Sequence, residues 1–314
     1  MAVGKMHVTE VDSDVALAGR LLAAQFPQWA DLAIEPVHSA GTDNALHRLG
    51  DDMVIRLPRI PGAAAQVDKE HKWLSRLAPL LPLAIPIPLA KGAPGEGYPW
   101  HWSVYRWLHG ECATIERIAD PRHTATELAR FIAALQRIDP AGGPAPGPHN
   151  SFRGVPLATR DQATRAAISA LRSTLDSVAI TEAWDAALQV PASQDPPVWI
   201  HGDLQSGNLL AVHGRLNAII DFGCLAVGDP ACDLMVAWNL LSADAREVFR
   251  TSLQVDDATW SRGRGWALSV GLIALPYYQT TNPVLAAISK YTINEVLSDH
   301  DMSVPVDPQM RMPR

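Results

Sequence analysis

The sequence predicts an α+β protein in which antiparallel strands dominate the first third and helices the remainder. Between Ile34 and Leu57, three short runs (Ile34 to His38, Ala45 to Leu49, Met53 to Leu57) are separated by Gly41-Thr-Asp-Asn44 and Gly50-Asp-Asp52, the pattern of a three-strand meander. Beyond about residue 109, apolar residues recur at three- and four-residue steps, as in Leu128, Phe131, Ile132, Leu135 and Ile138. At 314 residues, 47% hydrophobic and 19% charged, the chain is long enough to build two lobes with cores.

Val15, Leu17, Leu21, Leu22 and Phe26 are spaced as one face of a packing helix over residues 12 to 26, which Pro27 closes. The turn Ser39-Ala-Gly-Thr-Asp-Asn44 joins the first two strands, and its glycine, small hydroxyls and amide let backbone N–H groups approach a phosphate. A helix is expected from about Ala64 to Ala78, because Val67, Glu70, Leu74 and Leu77 recur at helical steps. That spacing puts Glu70 on the apolar stripe, where an unpaired carboxylate is costly. Arg56 on the third strand is the candidate partner, with Lys69 one step off the same face. Pro82, Pro86 and Pro88 exclude a helix and make Leu80 to Leu89 an extended connection. Trp100 to Leu108 then reads as a strand ending at His109-Gly110.

Helical signals take over from there. Thr124-Ala-Thr-Glu127 fits a capping box ahead of the Leu128 to Ile138 stripe. Pro140 to Pro148, with Gly142, Gly143 and Gly147, reads as a loop of low order, and residues 158 to 190 suggest two alanine-rich helices. Asp229-Pro-Ala opens a further helix through Leu241, with an acidic cap and a proline in its first turn. Residues 257 to 278 and 282 to 299 look like two long helices, with Pro276 ending or kinking the first.

A formal net charge of −7 argues against a general nucleic-acid binder, which would need a basic face. Cys112, Cys224 and Cys232 are odd in number and lack a close-paired spacing, so neither a disulfide framework nor a zinc site is expected; they read as buried small apolar residues. The N-terminus lacks the basic-then-apolar order of a signal peptide, and no run approaches the roughly 18 apolar residues of a membrane span, so neither a membrane partner nor export is expected. The expected location is therefore the cytoplasm.

The chemistry is concentrated in residues 198 to 223. Val198 to Ile200 and Leu209 to Val212 bracket a polar loop, and Ala218 to Ile220 ends on Asp221, which suggests three short strands with acids and an amide at their ends. Asp203 and Asn208 share one tight loop, and Asp221 follows the turn His213-Gly-Arg215, so the three converge if the flanking strands pair. Carboxylate and amide oxygens suit a hard cation such as Mg²⁺, which keeps positions for phosphate oxygens and water. A separate carboxylate can then take the proton of an attacking hydroxyl.

The order His-x-Asp-x-x-x-x-Asn, then Ile-Asp-Phe-Gly, resembles the catalytic and metal-binding loops of protein kinases. More closely, His201-Gly-Asp-Leu-x-x-x-Asn208 together with Gly228-Asp-Pro-Ala-Cys-Asp233 resembles the aminoglycoside phosphotransferase family of small-molecule and antibiotic kinases, strongly over residues 198 to 233 and loosely from Ile34 to Asp299. The resemblance implies a two-lobed, protein-kinase-like fold. Residues 1–108 would form a nucleotide-binding lobe of antiparallel sheet and one helix, and residues 109–314 a mainly helical lobe for catalysis and acceptor binding.

It further implies that Asp203 is the catalytic base, that Asn208 and Asp221 hold Mg²⁺, that His201 braces the loop and that Asp233 steadies its backbone. Arg56 stands where the family has a strand lysine, a departure, and Glu70 is its helix partner. Ser39, Thr42 and Asn44 fall in the nucleotide-covering loop, and the backbone of Arg106, Trp107 and Leu108 in the hinge that meets the purine of ATP or GTP. The activity implied is transfer of the γ-phosphoryl group to a hydroxyl of an antibiotic-like acceptor of the aminoglycoside type. A macrolide phosphotransferase, a kinase for an amino alcohol or sugar, and a nucleotide-binding pseudokinase are the alternatives. The acceptor would lie between the catalytic loop and the helices of residues 158 to 190 and 257 to 299. Asp203, Asp229, Asp233 and Asp299 would draw a cation there, whereas Trp260, Trp266, Tyr277 and Tyr278 would equally suit an apolar macrolide. Only about five residues separate Asp221-Phe-Gly from Gly-Asp-Pro, which leaves little room for the activation segment of a protein kinase.

Overall fold

The computed structural model describes residues 11, 13–37 and 43–303. Helix α1 (Val15–Gln25) starts where Asp14 accepts the Leu17 N–H at 2.8 Å, and it buries Leu17, Ala18, Leu21 and Leu22. Strands β1 (Ile34–Val37), β2 (Asn44–Leu49) and β3 (Met53–Pro58) form the expected meander. After a short helix α2 (Pro61–Ala64) comes α3 (Gln66–Leu77), then β4 (Pro88–Gly92) and β5 (Trp102–Arg106). The five strands make one antiparallel sheet in the order β1-β2-β3-β5-β4. Strand β4 was not anticipated: Pro88 opens it on the sheet edge, where a residue without a donor is tolerated.

The two faces of this sheet serve different cores. Ile55 and Leu57 of β3 join a small cluster with Leu21, Leu22, Leu49, Trp102 and Val104 beneath α1. Because successive strand residues point to opposite faces, Arg56 between them points to α3. Trp73, Leu74 and Leu77 of α3, with Tyr105 of β5, belong instead to the large core that runs through the rest of the molecule.

That larger region begins with β6 (Glu111–Cys112) and α4 (Pro121–Gln136). Helix α4 starts three residues before the capping box that the sequence suggests: Asp120 is the cap, accepting the His123 N–H at 3.0 Å, Pro121 occupies the first turn, and Thr124 is buried inside the helix. Next come α5 (Asp161–Leu171), α6 (Ser177–Gln189), β7 (Val198–Ile200), β8 (Leu209–Val212), β9 (Arg215–Ile219) and β10 (Ala226–Gly228). Four helices complete the fold: α7 (Val236–Asn239), α8 (Ala243–Leu253), α9 (Asp257–Tyr278) and α10 (Pro283–Ser303). The single helix expected over residues 229 to 241 is a 3₁₀ segment, Pro230–Met235, followed by the short α7. Helix α8, opened by Ser242, was not foreseen. Pro276 lies in the last turn of α9, with two helical residues beyond it.

Two further expectations change. The Pro140 to Pro148 stretch is irregular but tied down: Val227 donates to Pro144 O at 2.8 Å, and buried Asn150, just beyond it, bonds Gly147 N–H, Arg153 O and Cys224 O. Of the cysteines, Cys232 is buried and Cys224 half-buried, but Cys112 is exposed, because the two-residue strand β6 forms the edge of its sheet. No described helix is long and apolar enough to cross a membrane.

Candidate active site

The motif loops sit between two small antiparallel sheets. Strand β7 pairs with β10, and β8 pairs with β9 through the turn at His213 and Gly214, so the strands bearing Asn208 and Asp221 are neighbours. The Ile220 N–H donates to Asn208 O at 2.9 Å, which ties the two loops together at the residue before Asp221.

His201 is wholly buried, and both ring nitrogens are committed. Nδ1 accepts the Asp203 N–H at 3.2 Å and Nε2 donates to Ile220 O at 3.0 Å, so the ring spans both loops while lying 4.5 Å from the Phe222 ring. Asp233, also fully buried, accepts the N–H groups of His201 and Gly202 at 2.7 Å each. Burial pushes its pKa above the ordinary value, while His201 and the two N–H groups pull it down. Gly202 has φ +81°, and a Cβ there would come within 2.6 Å of Cys224 O, so this turn admits only glycine without rearrangement. Asn239 completes the brace: its Oδ1 accepts the Ser206 N–H at 3.2 Å and its Nδ2 donates to Leu204 O at 3.0 Å.

Asp203 is one-fifth exposed and accepts three side-chain hydrogen bonds. Arg153 Nη2 reaches Oδ1 at 3.3 Å, while Gln205 Nε2 and Asn208 Nδ2 reach Oδ2 at 2.9 and 3.0 Å. A carboxylate offers about four acceptor positions, so room remains for one further donor. Sequence reasoning did not name Arg153, Gln205 or Asn239. Gln205 lay inside the motif, and Asn239 stood as a lone amide in the run Leu234 to Leu241, which was a usable signal. Arg153 carries no local signal.

Across the cleft, Arg56 Nη1 meets both oxygens of Glu70, at 2.8 and 2.9 Å, and the Tyr105 hydroxyl also donates to Glu70. Glu70 is 1% exposed, and pairing satisfies its burial. Arg56 Nη2 reaches Asp221 Oδ1 at 3.5 Å. Burial alone would weaken the Arg56 charge, but Glu70 and then Asp221 outweigh it and raise the pKa. Lys69 makes a different contact, donating to Gly223 O at 2.6 Å and lying 3.2 Å from His149 Nδ1.

Asp221 has φ +63°, ψ +67°, and its side chain is half exposed. Asn208 Nδ2 also donates to Asp203 O at 2.8 Å, so its bonds to Asp203 commit the amide nitrogen and leave Oδ1 as the oxygen donor. Asn208 and Asp221 thus provide one neutral and one charged oxygen, a set that fits Mg²⁺ with its remaining positions on water and phosphate. No group of three or more His, Cys, Asp or Glu suited to holding a metal occurs among the described residues.

The remaining expected contacts are uneven. Ser39 and Thr42 lie outside the described residues, and Asn44 is the half-buried first residue of β2. In the expected hinge, the Arg106 N–H donates to Ile87 O at 3.0 Å and the Trp107 N–H to Asp52 O at 2.7 Å, so those two amides are already engaged; the Leu108 amide has no such partner among the described residues. Arg48 stacks 4.2 Å over the Trp107 ring.

A pocket of about 560 Å³ opens beside Asp203, lined by Arg153, Arg160, Gln205 and residues of α9 and α10. Its walls include Val270, Ile273, Tyr277, Tyr278, Leu285 and Ile288. Among the acids expected to surround a cation, only Asp203 lines it. Asp229 pairs with Arg262 at 3.0 Å, Asp233 is spent on the N–H groups of His201 and Gly202, and Asp299 pairs with Arg264 at 3.3 Å. Trp260 and Trp266 are core residues rather than pocket walls.

This architecture has known counterparts. The structure of the GDP and kanamycin complex of APH(2")-IIia superposes with a TM-score of 0.71 at 19% identity, over 90% of this chain and 98% of that one. The macrolide 2'-phosphotransferase MphH from Brachybacterium faecium gives 0.59 at 22% identity, over 90% and 98%. In sequence, an aminoglycoside 3'-phosphotransferase of Escherichia coli is 37% identical over 73 residues, a match that spans about a quarter of that relative's length, 25%, and 23% of this chain. The model of the phosphotransferase enzyme family matches residues 34–266, most of the chain and every motif described above, so the protein belongs to that family.

Proposed function

We propose that the protein transfers the γ-phosphoryl group of ATP or GTP to a hydroxyl of a small, antibiotic-like acceptor, as an O-phosphotransferase of the aminoglycoside type. The observation that carries this reading is the meeting of Asp203, Asn208 and Asp221 on two tied loops opposite the Arg56–Glu70 pair. In it, Asp203 accepts the proton of the attacking hydroxyl through its unfilled acceptor position. Gln205, Asn208 and Arg153 hold that carboxylate in place, and His201, Asp233 and Asn239 fix the loop beneath it. Asn208 and Asp221 hold Mg²⁺, which when bound neutralises charge on the phosphate oxygens. Arg56, anchored by Glu70, contacts the phosphates with its remaining N–H groups. Ser39, Thr42 and Asn44 cover them, and the backbone at Leu108, flanked by Arg106 and Trp107, meets the base. Residues 1–108 then act as the nucleotide lobe and residues 109–314 as the catalytic and acceptor lobe. A nucleoside triphosphate donor suits a protein working in the cytoplasm.

Most of the rate enhancement comes from positioning and charge neutralisation, since the transferred group needs little covalent help. A macrolide-like acceptor is the second reading, favoured by the aliphatic and tyrosine walls of α9 and α10. Purified protein assayed for nucleotide turnover with a panel of aminoglycosides, macrolides and amino alcohols tests the proposal. Acceptor-dependent turnover that needs Mg²⁺ is expected; nucleotide binding without turnover on any of them would favour the pseudokinase.

A further inference from the structure

Arg160 is a cation without an anion. Its Nε donates to Ser269 Oγ at 2.9 Å, its Nη1 to Ser151 O at 3.4 Å, and its guanidinium carbon lies 5.0 Å from the centre of the Trp266 ring. Among the described residues no carboxylate lies within ion-pair distance of it, and its Nη2 has no hydrogen-bond partner. Burial, and then the nearby charge of Arg153, pull its pKa down to about 10. Arg160 is half-buried, and a cation partly withdrawn from water without a counter-charge loses hydration without recompense. Here the unpaired guanidinium lines the same pocket as Asp203, together with Arg153, whose one carboxylate contact is Asp203 itself. Two guanidiniums against one carboxylate give this part of the pocket a local positive balance, which attracts an anionic group.

We propose that Arg160, with Arg153 beside it, forms an anion subsite in the acceptor pocket that takes a carboxylate or phosphate group. The group is either already present on the hydroxyl-bearing acceptor or is the phosphoryl group once transferred, since both would lie within this pocket. The proposal deepens the phosphotransferase reading and rests on it only for naming the pocket the acceptor's. A planar guanidinium offers a carboxylate or phosphate two parallel N–H donors, and Arg160 retains free N–H capacity on the pocket side while Ser269 and Trp266 hold the rest of the group still.

The first test needs no turnover. With the nucleotide site filled by a magnesium nucleoside diphosphate, inorganic phosphate is titrated calorimetrically into the wild-type protein, Arg160→Gln, Arg160→Lys and, as a control, the exposed Arg165→Gln. Saturable binding is expected in the wild type and in Arg165→Gln, weakened about tenfold or more in Arg160→Gln and by less in Arg160→Lys. No saturable binding in the wild type, or equal binding in Arg160→Gln, overturns the subsite while leaving the phosphotransferase reading intact. Should Arg160→Gln fail to fold, the wild type still decides: phosphate must compete with the acceptor and not with the nucleotide. Paired acceptors separate the sources. A KM increase in Arg160→Gln confined to a carboxylate-bearing acceptor, absent from its amide counterpart, assigns the anion to the acceptor. Weakened inhibition by both phosphorylated products with unchanged KM assigns it to the transferred group. The absence of both effects overturns the proposal.

Discussion

At the scale of single residues, the site is a set of donors and acceptors with few vacancies. Asp203 has three donors on it, so replacing it by asparagine preserves the size of the side chain but removes the acceptor position that the hydroxyl proton would need in the proposed role. Asp203→Asn should therefore lower kcat by about 10²–10⁴, the usual contribution of a general base, with nucleotide affinity nearly unchanged. Activity within a few-fold of wild type would remove Asp203 from that role. Arg56 is decided by its shape. Its Nη1 spans both Glu70 oxygens while Nη2 turns to Asp221, a division that a lysine ammonium, a single point of charge, does not reproduce. Arg56→Ala should raise the nucleotide KM and leave Glu70 buried without its cation, whereas Arg56→Lys should keep part of both functions; steady-state kinetics in nucleotide and thermal unfolding read the two effects separately. Wild-type kinetics in the alanine variant would point to Lys69 or to no cationic grip.

At the scale of elements, the residues readable from sequence are those fixed by short local spacing. Asp203, Asn208 and Asp221 are bound to one hairpin and its flanks, and Glu70 announced itself because helical periodicity set an acid on the buried stripe of α3. Arg153 and Arg160 were illegible for the converse reason: they reach the site through an irregular segment between α4 and α5, and no period or motif marks what such a segment packs against. Likewise β4 and β10 are strands only because β5 and β7 offer them edges. The 3₁₀ segment after β10 carries a testable burden. Asp233 holds the backbone N–H groups of His201 and Gly202 from full burial, and an asparagine there would set an N–H₂ against one of them. Asp233→Asn should cost about 1–3 kcal/mol in denaturant unfolding and lower kcat with it. On β2, burial lowers the pKa of His47 and Arg59 reinforces it, against the Ser13 backbone and Asp14. The unfolded chain thus takes up that proton first, so stability present above about pH 6.5 is lost as pH falls. His47→Leu should flatten the acid limb of stability against pH by at most about 1.4 kcal/mol per pH unit; His71, lowered in the same direction by burial, leaves a residual slope.

At the scale of the whole molecule, the nucleotide reading turns on how the small sheet is joined to the helical region. Lys69 of α3 donates to Gly223 O, Arg56 of β3 faces Asp221, and Ala84 bridges to the end of β9 through bonds with Asn217 and Ile219. Gln66 at the start of α3 sits so close to Gly223 that a Cβ there would meet its Oε1 at 2.5 Å. Every one of these contacts falls near the loop carrying Asp221, so a ligand held by Arg56 on one side and by Asp221 on the other would fasten both parts at once. A ligand that binds only the folded state stabilises it by about 2.7 kcal/mol at a hundred times its Kd. The melting temperature should accordingly rise with nucleotide, and rise further when Mg²⁺ is added than when it is chelated. In Asp221→Ala the ligand-free protein should melt close to wild type, because the pair lost is half exposed at 3.5 Å and such pairs contribute about 0–1 kcal/mol. The variant should lose the Mg²⁺-dependent part of the shift and keep the part that nucleotide alone produces. Arg56→Ala should lose stabilisation whether or not Mg²⁺ is present, because in the proposed role its contact is with phosphate itself. If Asp221→Ala retains the full Mg²⁺-dependent rise, the metal is held elsewhere, and the pairing of Asn208 with Asp221 as its ligands is wrong.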